Sequence, residues 1–470
     1  MKETIRRRVI DPGTRDRWIS VSYMVLACVM LLHHVWVTVH FATPENGALA
    51  LRFPWVILAG AGFFLGRLWK DKTFWILAAL LLLKMLRVAV PMPEKLSDTQ
   101  TVYELCLYAF GICYAAGRVL DPEDRKRFVS LFCGLWTAAM AALACAGLYA
   151  VWNNAVIPNL GNKPIFVEKS RLWMVYHPVE GGGLASVTVA IAMIGIHLSR
   201  RRAVKALYGA AAAVIFLAGV FTNSRTSDIL SAFAVSAPVC LAAYEWRNSG
   251  KESRRQKALR IAGACLLFAV LSLALIVLQT KIMPLYNAVR SREGAWVPSA
   301  MAEDAAAAAP RLKTREFVLD KGMNGFLTDR VRIWAKALEA MKDKPSLFLT
   351  GQSVYRFMEP LREYGLASKY HLHSTFMQTL WENGIPGLLL FAGFFVVFAV
   401  NAFRLAADRG APRWMRLLPL PAVLCWMADF VDCTGYCNWG KPAMTVLYFF
   451  TGLTIAAALE RRKKERMKDA

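Results

Sequence analysis

Several small groups of polar residues stand out in a chain of 470 residues that is 56% hydrophobic. Tyr370-His-Leu-His-Ser places two imidazoles, His371 and His373, just ahead of a long apolar stretch. Arg330-Val-Arg-Ile-Trp334 carries Arg330 and Arg332 at the head of a helical pattern, and Ser224-Arg225-Thr226 sets one cation in a very short gap between apolar stretches. Arg171 and His177 precede Gly181-Gly-Gly, and Lys84 and Arg87 lie within an apolar stretch. Imidazole titrates near neutrality and can accept a proton from a hydroxyl. Guanidinium stays charged and can pair two oxygens of a phosphate. Cations inside a membrane are costly, so Lys84 and Arg87 are expected to be functional or to pair with Glu104. Residues 283–374 hold fourteen Lys and Arg against ten Asp and Glu, which suggests an anionic ligand. Asp429 and Asp432 have helical spacing and read as capping or pairing residues; no acidic or His-rich cluster suggests a metal. Nor is there a P-loop. Gly60-Ala-Gly62 with Gly66 falls in an apolar segment and reads as close helix packing.

The elements that must position these groups are membrane helices. About 20 mostly apolar residues cross a hydrocarbon core. Such spans are expected near 18–41, 52–68, 73–92, 101–120, 128–152, 181–198, 204–222, 226–246, 258–282, 385–403, 414–432 and 441–460. The expected fold is therefore all-α, a polytopic transmembrane bundle of about 12 spans with one large extracytoplasmic loop containing short helices. Three parts follow: residues 1–282 with about nine helices, the loop 283–384, and residues 385–470 with three more helices and a basic tail. The first span exceeds a signal-peptide core and reads as an uncleaved anchor.

The net charge of +24 is largely a topology signal. Basic clusters at the N-terminus, 67–72, 125–127, 200–205, 247–257, 404–413 and 461–466 alternate with short loops most of which are nearly free of Lys and Arg. By the positive-inside rule both termini are expected in the cytoplasm and the 283–384 loop outside. Charges dispersed between apolar spans argue against nucleic-acid binding. Most of the ten cysteines fall within apolar spans and read as small core residues. Cys433 and Cys437 lie in an expected external loop, where they could be free or disulfide-bonded.

A long loop among short ones carries function. Here it opens with an Ala-rich stretch, continues into a helix that Thr328 or Asp329 could cap, and is expected to bury Val331, Trp334, Ala335 and Leu338. Pro345 closes that helix, Gly351-Gln-Ser and a second short helix near 354–364 follow, and the His run leads to Gly384-Ile-Pro-Gly387.

In order, Ser224-Arg225-Thr226, Arg330-Val-Arg-Ile-Trp334, Pro345 to Gly351, and His373-Ser374 followed by Gly384 and Gly387 resemble segments of the bacterial O-antigen ligase and polymerase superfamily. The resemblance spans roughly 170–400. It implies a metal-independent, cofactor-free, inverting glycosyltransferase of the bacterial inner membrane. The donor would be a glycan on polyprenyl (undecaprenyl) diphosphate; the acceptor, a lipid or another glycan, would lie on the extracytoplasmic face. It implies His373 as general base or acceptor positioner, with His371 as the alternative, and Arg225 and Arg330 on the diphosphate. Ser374, Arg171, Lys84, Arg87 and Arg332 are expected as further substrate-binding residues, although a solvated role suits Arg332 better. His373 could instead only cap a helix, and Arg225 could snorkel to the interface. A polymerase of the same superfamily is the nearest alternative. A transporter would show polar residues at broken helices near the midplane, and here they gather in one external loop.

Overall fold

The computed structural model describes residues 21, 25, 57–64, 68–90, 107–119, 122–158, 164–168, 170–174, 177–246, 253–294, 330–352, 359–366, 372–431 and 442–469. The first expected span apart from residues 21 and 25, together with His371, Glu104, Thr328, Asp329, Asp432, Cys433 and Cys437, lies outside these residues.

The protein is a helical polytopic membrane protein. After a helical stretch at 57–64 come α1 (Lys72–Ala89), a π-helical run Leu107–Tyr114 leading into α2 (Ala115–Val119), and α3 (Pro122–Asn153). A hairpin of β1 (Ile165–Glu168) and β2 (Arg171–Met174) precedes α4 (Pro178–Leu198), α5 (Arg202–Phe221), α6 (Arg225–Trp246) and α7 (Arg254–Gly294). Then come short helices α8 (Arg330–Asp343), α9 (Ser346–Thr350) and α10 (Glu359–Arg362). The chain closes with α11 (Thr375–Ala407), α12 (Arg413–Arg416), α13 (Pro419–Val431) and α14 (Pro442–Asp469). Among the described residues, α3, α4, α5, α6, α7, α11 and α14 are long and apolar enough to cross a membrane.

Helices α4 and α14 form the centre: 78% and 83% of their apolar windows are buried, against 6% for α7. Without a hydrophobic force between helices in lipid, association depends on close packing and interhelical hydrogen bonds. Gly182 of α4 illustrates this, because a Cβ there would sit 2.4 Å from Thr222 Oγ1 and 2.7 Å from Ser227 Cβ. The Ser227 hydroxyl donates to the Gly182 carbonyl at 2.9 Å, and Ser186 Oγ donates to the Ser227 carbonyl at 3.1 Å. Gly62 approaches the 107–119 segment as closely, with a Cβ there meeting Ala115 Cβ at 2.8 Å. An aromatic cluster of Phe391, Phe394 and Phe398 around Trp426 joins α11 to α13.

Charge pairs tie helices together at one end of the bundle. Arg125 binds Glu460 at 3.0 Å, and Arg461 binds Asp408 at 2.5 Å. Glu245, at the end of α6, accepts from Arg413 Nε at 2.6 Å and pairs with Arg416. These are residues of the basic clusters, now paired with the few acids among them.

Local structure departs from expectation in several places. Helix α7 runs past 282 to Gly294, because Tyr286 donates to the Val151 carbonyl at 2.8 Å and Arg290 lies over the Trp152 ring. Helix α11 begins at Thr375, ten residues before the expected span, and is broken at Gly384. Residues 165–174 form an antiparallel hairpin where no strand was expected; Phe166 and Trp173 stack across it, and Leu172 and Met174 bury against Gly147. The buried face of α8 is Ile333, Ala337, Ala340 and Met341, with Trp334 and Leu338 beside it, whereas Ala335 is exposed. Cys145 and Cys265 face outward, unlike buried Cys113, Cys133, Cys240 and Cys425.

Candidate functional site

Helix direction decides which ends share a face. Tyr244, near the end of α6, accepts from Arg409 at 2.8 Å, just beyond the end of α11. Together with the Glu245 pairs, this sets the C-terminal ends of α6 and α11 side by side. The two helices therefore run in the same direction, with an apolar cavity of about 730 Å³ between them and α13. Their N-terminal ends, which carry Arg225 and His373-Ser374, lie at the opposite end of the bundle from the ion pairs.

His373 precedes the first turn of α11. Its φ is +52°, in the left-handed region where His is uncommon but tolerated. Neighbouring residues hold this geometry from both sides. Trp334 Nε1 donates to the Leu372 carbonyl at 2.8 Å, and the Leu372 N–H donates to Gln378 Oε1 at 2.9 Å. Ser374 is buried and caps α11 by accepting from the Met377 N–H, so its hydroxyl has a structural task. Arg330 lies one turn before Trp334 on α8, on the face turned toward Leu372, about 5–6 Å along the helix. Arg332 is exposed.

The glycine pair shapes the helix entry. Gly384 has φ +66° and ψ −168°, and Pro386 needs no N–H partner in the first turn that follows. A Cβ on Gly384 would lie 2.7 Å from the Phe348 and Leu349 carbonyl oxygens; one on Gly351 would lie 2.4 Å from the Glu382 carbonyl. The Gln352 N–H also donates to the Trp381 carbonyl at 2.6 Å. The Pro345–Gly351 turn is thus seated directly on the break in α11.

Lys84 and Arg87 reach the same region from α1. Lys84 Nζ lies 3.2 Å from Glu382 Oε2, both side chains being buried, and Arg87 donates to the Leu349 carbonyl at 3.4 Å. Lys84 thus has an ion-pair partner nearly three hundred residues away in sequence. Arg225 opens α6 beside the hairpin. Asn223 donates to the Ser170 carbonyl at 3.4 Å, and Ser170 is next to Arg171. Burial, and then the charge of Arg225, lower the pKa of Arg171. Two guanidiniums that feel each other in a half-buried setting favour an anion between them. His177 caps α4, accepting from the Val179 N–H at 3.4 Å, with Trp173 edge-on to its ring. Among the described residues, no group of three or more His, Cys, Asp or Glu gathers as a metal-ligand set.

Sequence reasoning took in neither Gln378 nor Glu382. Their signal was four-residue spacing of polar groups inside an apolar helix. Trp334 was read only as packing, and its indole N–H proves to hold the peptide before His373.

Residues 210–392 match the O-antigen ligase family, so this part of the chain is similar to that family. The match runs from α5 through the broken part of α11 and covers Arg225, Arg330 and His373. No curated protein matches the chain.

Proposed function

We propose that the chain, its residues 210–392 matching the O-antigen ligase family, is a membrane glycosyltransferase of the ligase type. It moves a glycan from a polyprenyl diphosphate carrier to an acceptor hydroxyl at the extracytoplasmic face of the bacterial inner membrane. The observation that carries this reading is the parallel course of α6 and α11, which brings Arg225 and His373 to one end of the bundle, opposite the basic clusters.

Diphosphate is a good leaving group, so its departure calls for fixed positive charge and no strong acid. Arg225 and Arg330 supply that charge, with Arg171 beside Arg225, and their forked donors match phosphate oxygens. His373 accepts the proton of the attacking hydroxyl, as an imidazole can at neutral pH. Direct attack by that hydroxyl on the anomeric carbon, with diphosphate leaving from the opposite face, inverts the centre. Nothing in this scheme calls on a metal or organic cofactor. Lys84, neutralised by Glu382, belongs to the support of the site, and Ser374 and His177 cap their helices.

The test uses the purified full-length protein with polyprenyl-diphosphate-linked glycan and an acceptor lipid. His373→Ala should fold normally and lose transfer by about 10²-fold or more; transfer at the wild-type rate would remove His373 from the mechanism. A single glycan added per acceptor identifies a ligase, and a ladder of repeats identifies a polymerase.

A further inference from the structure

A buried polar relay links α1 to the peptide immediately before His373. Lys84 Nζ sits 3.2 Å from Glu382 Oε2, Gln378 Nε2 donates to Glu382 Oε1 at 2.6 Å, and Gln378 Oε1 accepts from the Leu372 N–H at 2.9 Å. On the far side of residue 372, its carbonyl accepts from Trp334 Nε1 at 2.8 Å. Lys84, Leu372, Gln378 and Glu382 are at most 5% exposed. Buried polar groups stay only if satisfied, and a satisfied network fixes one arrangement of its members.

Residue chemistry dictates the polarity of this relay. A peptide N–H can only donate and an ionised carboxylate can only accept, so the residue between them must accept at one end and donate at the other. Gln does both. Lys84 stands beside Glu382 as its counter-charge. The four-residue spacing puts Gln378 and Glu382 on one face of α11, and the 382–384 break lies against the α9 turn through Gln352 and Gly351. Two of the ties, from Gln378 and from Trp334, end on the Leu372 backbone, which sets the direction in which residue 373 leaves the turn.

The geometry points to Gln378, Glu382 and Lys84 as positioning residues for His373: with Trp334 they hold the Leu372 peptide so that the imidazole stays at a left-handed backbone position, aimed at the acceptor hydroxyl. This rests on His373 acting in transfer as set out above. It also gives Lys84 a task other than binding the donor. A reacting group displaced by about 1 Å can lose on the order of 10²-fold in rate. Loosening one tie is expected to lower kcat by about tenfold or more, while the donor-binding arginines are left in place.

The test compares wild type, His373→Ala, Gln378→Met and Trp334→Phe as full-length protein in detergent or nanodiscs. Gln378→Met keeps the side-chain size and removes both hydrogen bonds; Trp334→Phe removes the tie on the other side of the same residue. Either variant should lower kcat about tenfold or more, leave KM for the donor within about threefold, and move the acid-side midpoint of the kcat–pH profile by about half a unit or more, since that limb reports the base in the complex. A variant that only reduces the amount of folded protein scales the profile without moving its midpoint. An unmoved midpoint in both variants, or kcat within about twofold of wild type, overturns the inference. Trp334→Phe decides alone if Gln378→Met does not fold. Wild-type transfer by His373→Ala overturns the underlying mechanism. Loss in His373→Ala with no change in the other two overturns only the relay.

Discussion

Replacing Gly384 with Ala isolates what the break in α11 contributes. The residue sits at φ +66° and ψ −168°, a region essentially reserved for glycine, and a side chain there costs on the order of 1–3 kcal/mol. The added Cβ would also lie 2.7 Å from two carbonyl oxygens, whereas real Cβ atoms stay beyond 3.0 Å. Those oxygens belong to the α9 backbone, so no rotamer change relieves the overlap, and the forced shift adds roughly 1–3 kcal/mol. Together these terms predict a loss of about 2–6 kcal/mol. Gly393 is the control. It lies on the same helix, and a Cβ added there would meet nothing within 4 Å, so Gly393→Ala should be neutral or stabilising by up to about 1 kcal/mol. Thermal unfolding in detergent reads both variants. Gly384→Ala should unfold well below wild type and, because the turn bearing His373 is displaced, lose transfer in the fraction that stays folded. Unfolding of Gly384→Ala that matches Gly393→Ala would refute the reasoning.

Further outcomes concern charge. Arg225→Lys should lower transfer by about tenfold or more, since an ammonium cannot bridge two phosphate oxygens, with unfolding unchanged; full activity would make Arg225 a snorkelling surface residue. Asp408, held below the usual carboxylate range by the Arg461 guanidinium, contributes stability above its ordinary pKa that is lost as pH falls through its folded value. Asp408→Asn should therefore be less stable than wild type at neutral pH, with the gap closing below about pH 4, as unfolding measured across pH would show.

The span pattern was legible because hydrocarbon thickness imposes length and apolarity, and because basic clusters alternate along the chain. The segments around Arg225, Arg330, Pro345 and His373 were legible as an ordered set. What stayed hidden was pairing across the chain. Nothing near Lys84 announces Glu382, and Trp334 reads as an ordinary apolar residue until Leu372 lies against it. The hairpin escaped notice because its strands have four residues each, too short for a clear alternation, and α7 outran its apolar segment through contacts that α3 supplies.

Helix α7 has a further consequence. Its 41 residues extend about 60 Å, roughly twice the hydrocarbon thickness. Such a rod must lean steeply or project like a mast above the headgroups. Either way the last turns of α7, where Tyr286 packs its ring on Phe221 three residues before Ser224-Arg225, reach past the hydrocarbon into the polar layer beside the α6 entry.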